Sequence, residues 1–432
     1  MRERNHDRRE PLPVPTTLTK GLFLLLLLLT GPAFAASPTS AFGWPASGTL
    51  AGAPIRARDT YICVIPDTQN QTNPKEEEGA PNAPLAVGGA DGCNIQSTCT
   101  KNCTNSTLCK TSWVESGIQV LRNQTLSLLR KPIDWTGMTG EGYPMPVLAK
   151  PIDQPPHPRC DLILHVGDSI DTGDAQLGAS SGNTYNQWMR LKGAMLTPLL
   201  NSGIPFLFVP GNHDDLLYYE QDFLVPFRTK PYYYADTSAS FSVFDTGVTR
   251  TSYMVAMLAP TPAGPICVVG TPYYGTTVAN TPNATLQAAS LTYLGCGGGY
   301  PTILLQHYTG EGHFSAAIFD GTHPQVFAQV WGHDTLSPGN DLTASVIGGN
   351  TIYQQFCNFQ EMDRLVLTDY GQTPSDGAGG AYCVIKLSPD DDMIASSAWV
   401  TYYQTHGNVA QGFTNGLRAR ESFSFDFDAR FP

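Results

Sequence analysis

The apolar positions of this chain fall mainly in short unbroken runs, each closed by a polar cluster. Such runs fit strands buried on both faces better than long amphipathic helices. Five stand out: Tyr61 to Ile65, Leu162 to Val166, Pro205 to Val209, Thr302 to Gln306 and Val326 to Trp331. Helical spacing appears in two places, residues 115–130 and 185–200. After Gly349 the pattern alternates, most clearly from Ala381 to Leu387 and from Ala398 to Tyr403. The tail Ser422-Phe423-Ser424-Phe425-Asp426-Phe427 alternates strictly and predicts a terminal strand with one aromatic face. No internal repeat is visible.

The polar clusters that close the five runs carry the chemistry. They are Pro66-Asp67-Thr68-Gln69, Gly167-Asp168-Ser169-Ile170-Asp171, Gly211-Asn212-His213-Asp214, His307-Tyr308 and Gly332-His333-Asp334-Thr335. Ligands of sheets covered on both faces gather at the carboxyl ends of the strands, so the five clusters should converge. They supply metal-ligand types: carboxylates from Asp67 and Asp168, imidazoles from His307 and His333, a neutral oxygen from Asn212. His213, left unligated, is a candidate proton donor, and Asp171 a candidate to orient it and keep it protonated. His165 lies inside a strand and reads as structural, whereas His313 and His323 are either surface residues or rim the site.

The order Asp67, Gly167-Asp168-x-x-Asp171, Gly211-Asn212-His213-Asp214, His307, Gly332-His333 resembles the calcineurin-like metallophosphoesterases. The resemblance covers roughly residues 60–405. It implies an α+β fold, an αββα sandwich of two central mixed β-sheets flanked by helices. It implies two divalent metal ions, drawn from Mn, Fe, Zn, Mg and Ca. Asp168 would bridge them, Asp67 would hold the first, and Asn212, His307 and His333 the second. It also implies an acid pair of His213 and Asp171, and hydrolysis of a phosphate ester by a metal-activated water.

Two departures from that family stand out. Asp-x-His is replaced by Asp67-Thr68-Gln69, and Gly-His-x-His by Gly332-His333-Asp334-Thr335. Both missing imidazoles would serve the first metal. An exported subset with Asp-Thr-Gln and a later Asn-aromatic-Gln looks similar, and Asn358-Phe359-Gln360 fits that later element. Gln69 retains a carbonyl oxygen for ligation, which predicts an oxygen-rich first site favouring Mn, Mg or Ca over Zn. The alternative reading is a catalytically weak or inactive binding protein on the same fold.

Composition changes the picture in three ways. The net charge of −12 excludes a basic nucleic-acid platform but not a phosphate held at a metal. Residues 1–35 combine Arg2, Arg4, Arg8, Arg9 and Lys20, an apolar run from Gly21 to Leu29 and an Ala33-Phe34-Ala35 end, the pattern of a cleaved signal peptide. That run is too short to span a membrane, so no transmembrane segment is expected after its removal. All ten Cys follow it, and an even number in an exported chain predicts disulfides. Cys93, Cys99, Cys103 and Cys109 lack a CxxC pair and a nearby His, which favours stapling over zinc. The expected organisation is a leader at 1–35, a linker at 36–55, one domain at 56–417 with a Cys-rich insertion at about 70–112, and a terminal strand region at 418–432. The expected location is secreted or periplasmic, and the expected substrate a small phosphoester or an extracellular phosphorylated molecule.

Overall fold

The computed structural model describes residues 59–66, 68, 124–129, 159–170, 185, 188–189, 191–242, 249–272, 283–308, 314–333, 339–358, 382–389, 391–406 and 409–425. The leader, the linker, the Cys-rich insertion, Asp67, Gln69, Asp171, His313, Asp334, Thr335 and Gln360 lie outside the described residues.

Thirteen strands among the described residues build two sheets. The first holds β1 (Thr60–Ile65), β2 (Leu162–His165) and β3 (Phe206–Phe208), with β11 (Tyr382–Ser388), β12 (Met393–His406) and β13 (Val409–Ser424), in the order β13-β12-β11-β1-β2-β3. The second holds β4 (Tyr233–Ser242), β5 (Thr249–Thr261), β6 (Gly264–Thr271), β7 (Thr302–Gln306), β8 (Val326–Trp331), β9 (Gly339–Ile347) and β10 (Asn350–Asn358), in the order β4-β5-β6-β7-β8-β10-β9. In the first sheet β1, β2 and β3 pair in parallel and β11, β12 and β13 add antiparallel pairs; in the second β6, β7, β8 and β10 pair in parallel, flanked by antiparallel pairs to β5 and β9. This is the expected pair of mixed sheets.

Burial on both faces explains the unbroken apolar runs. In β7, Ile303 and Leu305 enter the core shared with the first sheet, while Leu304 packs on the opposite side with Leu286, Ala289 and Tyr293. Those three belong to helix α3 (Ala284–Tyr293), whose first turn is capped by the Asn283 side chain accepting from Thr285 N and Leu286 N. On the outer face of β3, Phe206 and Phe208 meet Phe223 edge-on, at ring separations of 5.5 Å each. Phe223 lies in helix α2, made of Leu216–Tyr218, a π-helical turn Tyr219–Leu224 and Val225–Phe227. Between the sheets, a Cβ on Gly270 would come within 2.6 Å of Val209 Cγ1, so glycine lets β6 approach β3.

Two features tie the sheets together beside β10. The Cys357–Cys383 disulfide joins β10 to β11. Phe425 is buried against Phe327 and Tyr353 of the second sheet, at 5.5 and 5.2 Å. Burying a ring of that size contributes about 1.5–3 kcal/mol. The terminal aromatic alternation thus serves to pin β13 into the sandwich. Cys63–Cys160 and Cys267–Cys296 are the other disulfides among the described residues, and there no helix is long and apolar enough to cross a membrane.

Strand register sets the position of the site. Ile65 is level with His165, and His165 with Phe208, so β1, β2 and β3 end side by side. Thr271 is level with Gln306, and Leu305 with Val330, so β7 and β8 end together in the second sheet. The loop after β8 is joined to the end of β7 by Gly332 N–H donating to His307 O at 3.0 Å.

Candidate metal centre

The chain leaves β2 through two left-handed residues, Gly167 at φ +102° and Asp168 at φ +51°. Positive φ is costly for a residue with a Cβ and is commonly found where function dictates geometry. The neighbouring loop after β3 approaches so closely that side chains are excluded. A Cβ on Gly167 would lie 2.4 Å from Gly211 N, and a Cβ on Gly211 would lie 2.1 Å from Asp168 Oδ1. The glycines of the two motifs are therefore needed to bring Asp168 and Asn212 together.

His165 and Asp214 hold this loop pair from behind. His165 is buried, and its Nδ1 accepts from Gly167 N–H at 3.1 Å. The ring proton must then sit on Nε2, which faces Ser169 Oγ at 3.2 Å. Burial, with the nearby His307 charge adding to it and Asp168 opposing, pushes His165 down to about 3, so this ring stays neutral. Asp214 is also buried. Its Oδ1 accepts from Ser169 N at 2.8 Å and Ile170 N at 3.3 Å, and its Oδ2 from Gly211 N at 2.9 Å. Burial and the Asp168 charge push its carboxyl up to about 7 against these hydrogen bonds.

In front of the loops, four acceptor atoms face one another. His307, fully buried, has its Nδ1 2.7 Å from the carbonyl oxygen of Val166. A carbonyl only accepts, so Nδ1 carries a proton, which leaves Nε2 as the ring atom that faces the site and ligates when unprotonated. There Nε2 lies 3.1 Å from Asn212 Oδ1, 3.2 Å from Asp168 Oδ2 and 2.6 Å from His333 Nδ1. The Asp168, His307 and His333 ligand atoms all lie within 4.8 Å of one another. A carboxylate oxygen, an amide oxygen and two ring nitrogens crowded this way need a proton or a cation among them, and all four are metal-ligand types. The residues present therefore fit a divalent metal of mixed oxygen and nitrogen preference.

The carboxylate at the centre has one oxygen committed. Asp168 Oδ1 accepts from His213 N–H at 2.8 Å, which leaves Oδ2 as the atom turned toward both imidazoles. Burial alone would raise the Asp168 carboxyl, but His307 and His213 hold it well below the usual range. The His213 ring is partly exposed and stands with Nε2 4.0 Å from Asp168 Oδ2. His333, at φ +77°, is the second side chain of the site held at positive φ, and its ring meets that of Tyr308 edge-on at 5.1 Å.

The structure thus brings Asp168, Asn212, His213, His307 and His333 to one place, from four loops and both sheets. Thr68, between Asp67 and Gln69 in the chain, touches the same place: its N–H donates to Asp168 O at 3.0 Å and its Oγ1 to Ser169 O at 3.1 Å. His323 precedes β8, at the end of the strand opposite His333, so it does not rim the site. Sequence reasoning gave no role to Asp214 or Tyr308. The first was visible as the acidic residue closing Gly211-Asn212-His213-Asp214, and the second as the aromatic residue after His307.

Comparison with known families agrees with this arrangement. The family model for the calcineurin-like phosphoesterase matches residues 146–334, which hold every metal-facing side chain described above. No curated protein matches the chain. In its two-sheet fold, its motif order and this match over residues 146–334, the chain is similar to the calcineurin-like phosphoesterase superfamily.

Proposed function

We propose that this protein is an exported, metal-dependent phosphoesterase. The observation that carries this reading is the set of four mutually facing acceptors on Asp168, Asn212, His307 and His333. In this reading those residues hold one divalent ion. Asp67 and Gln69, which flank Thr68 in the chain, would hold a second ion, with Asp168 serving both. When bound, the ions supply an acidified water as nucleophile and neutralise the phosphoryl oxygens.

The chain's own residues supply orientation and proton transfer. The His213 backbone N–H fixes Asp168 Oδ1, so its imidazole stands beside the carboxylate on the solvent side. From there it protonates the leaving oxygen, and Asp171 keeps it protonated before that step. The Val166 carbonyl fixes the His307 tautomer, the arrangement expected behind a metal-bound imidazole. The substrate is a small phosphoester or an extracellular phosphorylated molecule. The leader pattern at 1–35 and the three disulfides support export, since such bonds persist in oxidising compartments.

A second reading, a weakly catalytic or inactive binding protein, draws on the two missing first-site imidazoles at Gln69 and Thr335. Chromogenic phosphate mono- and diesters with added Mn separate the two. Metal-dependent turnover by the wild type, absent in Asp168→Asn, supports the enzyme. Folded protein with no turnover on either ester supports the binding protein.

A further inference from the structure

We propose that Asp214 is a positioning residue for the metal centre, a carboxylate clamp that locks the Asp168 loop to the Asn212 loop without ligating the metal itself. The inference rests on the metal reading above and deepens it.

Each Asp214 oxygen serves a different loop. Oδ1 takes the N–H groups of Ser169 and Ile170, directly after Asp168, and Oδ2 takes the N–H of Gly211, directly before Asn212. The side chain is fully buried, so water cannot replace either set of bonds. The two loops also meet through the His213 N–H donated to Asp168 Oδ1 and through close backbone at Gly167 and Gly211. The Asp214 carboxylate adds a second polar link, made to backbone amides rather than to a ligand side chain. Its bonds run from the backbone amides that flank two ligands, and the separation of Asp168 Oδ2 from Asn212 Oδ1 depends on both loops staying in register.

The clamp needs two acceptors. An asparagine has one acceptor oxygen and one NH2 group, and that NH2 would face a backbone N–H of one loop. Asp214→Asn therefore keeps shape and burial while releasing one loop. Loss of the partners that orient ligands typically weakens metal affinity by about 10–100-fold.

The test uses the full chain loaded with cobalt, whose visible absorption reports ligand geometry. Fold is checked by circular dichroism, and affinity by competition with a chelator. The expected result is a folded Asp214→Asn protein that binds cobalt about 10–100-fold more weakly, with a shifted visible band. A residue that only supported the fold would lower thermal stability and leave the affinity and band of the folded protein unchanged. That outcome overturns the inference. If Asp214→Asn does not fold, Asp214→Ser, whose hydroxyl can serve one loop only, is read in the same way. Failure of the wild type to take up cobalt would overturn the metal reading and the clamp with it. Equal uptake by wild type and variant overturns the clamp alone.

Discussion

His307 donates its Nδ1–H to the carbonyl oxygen of Val166 at 2.7 Å, across the junction between the two sheets. His307 follows β7 of the second sheet, and Val166 follows β2 of the first. This single bond sets which ring nitrogen faces the site and joins the two halves that supply the ligands. It predicts that His307→Asn, which keeps a side-chain N–H for Val166 but loses the Nε2 lone pair, folds and binds one fewer metal ion per chain. Elemental analysis of the purified variant against wild type checks this.

Gly211→Ala should damage the site more than its small volume suggests. The added Cβ would meet Asp168 Oδ1 at 2.1 Å and Asp168 N at 2.5 Å, and Oδ1 is held in place by the His213 N–H. Overpacking of this kind costs about 1–3 kcal/mol. Urea titration should show that loss, and metal affinity should fall with it because Asp168 must move.

His165 gives the fold a defined acid weakness. Its folded value is pushed down to about 3, whereas in the unfolded chain it titrates near the ordinary 6.5. Below about 6.5 the unfolded state binds a proton that the folded state does not, so stability falls as pH drops from there toward 3. The slope approaches about 1.4 kcal/mol per pH unit for one proton. His165→Asn places an oxygen where Nδ1 accepts from Gly167 and cannot titrate. Denaturation between pH 4 and 6.5 should show its acid slope reduced by about one proton.

Removing the Cys357–Cys383 bond should loosen the sandwich beside the strand ends that carry the site. The bond closes a separation of 26 residues and joins β10 to β11 close to the ends of β8 and β1: Phe356 is level with Trp331, Cys383 is level with Val64, and Cys357 Sγ lies 3.4 Å from Val64 O. A cross-link of this kind contributes about 2–4 kcal/mol. The double variant Cys357→Ala/Cys383→Ala should melt several degrees lower and hold less metal than wild type, measured by calorimetry and elemental analysis.

The parts of the fold legible in the sequence are those buried on both faces. β7 and β8 match the apolar runs Thr302 to Gln306 and Val326 to Trp331 residue for residue. β1, β2 and β3 agree within one residue at each end. β4 was not legible, because its partly exposed residues mix Thr and Ser with apolar ones; β5 is mostly buried from Ser252 to Thr261, but no motif closes it. Asp168, Asn212, His307 and His333 were legible because each follows a strand end. Asp214 was not, because its role rests on backbone N–H groups of two loops, Ser169 and Gly211, that only the folded chain brings together.

The most direct test of the metal centre is hydrolysis of a chromogenic phosphate ester by wild type and Asp168→Asn, with and without added Mn. Mono- and diester substrates are run in parallel on folded protein. The account predicts turnover that a chelator abolishes and Mn restores, reduced by more than about 100-fold in Asp168→Asn. Turnover in Asp168→Asn equal to wild type, or a folded wild type with no metal-dependent turnover on either ester, would contradict it.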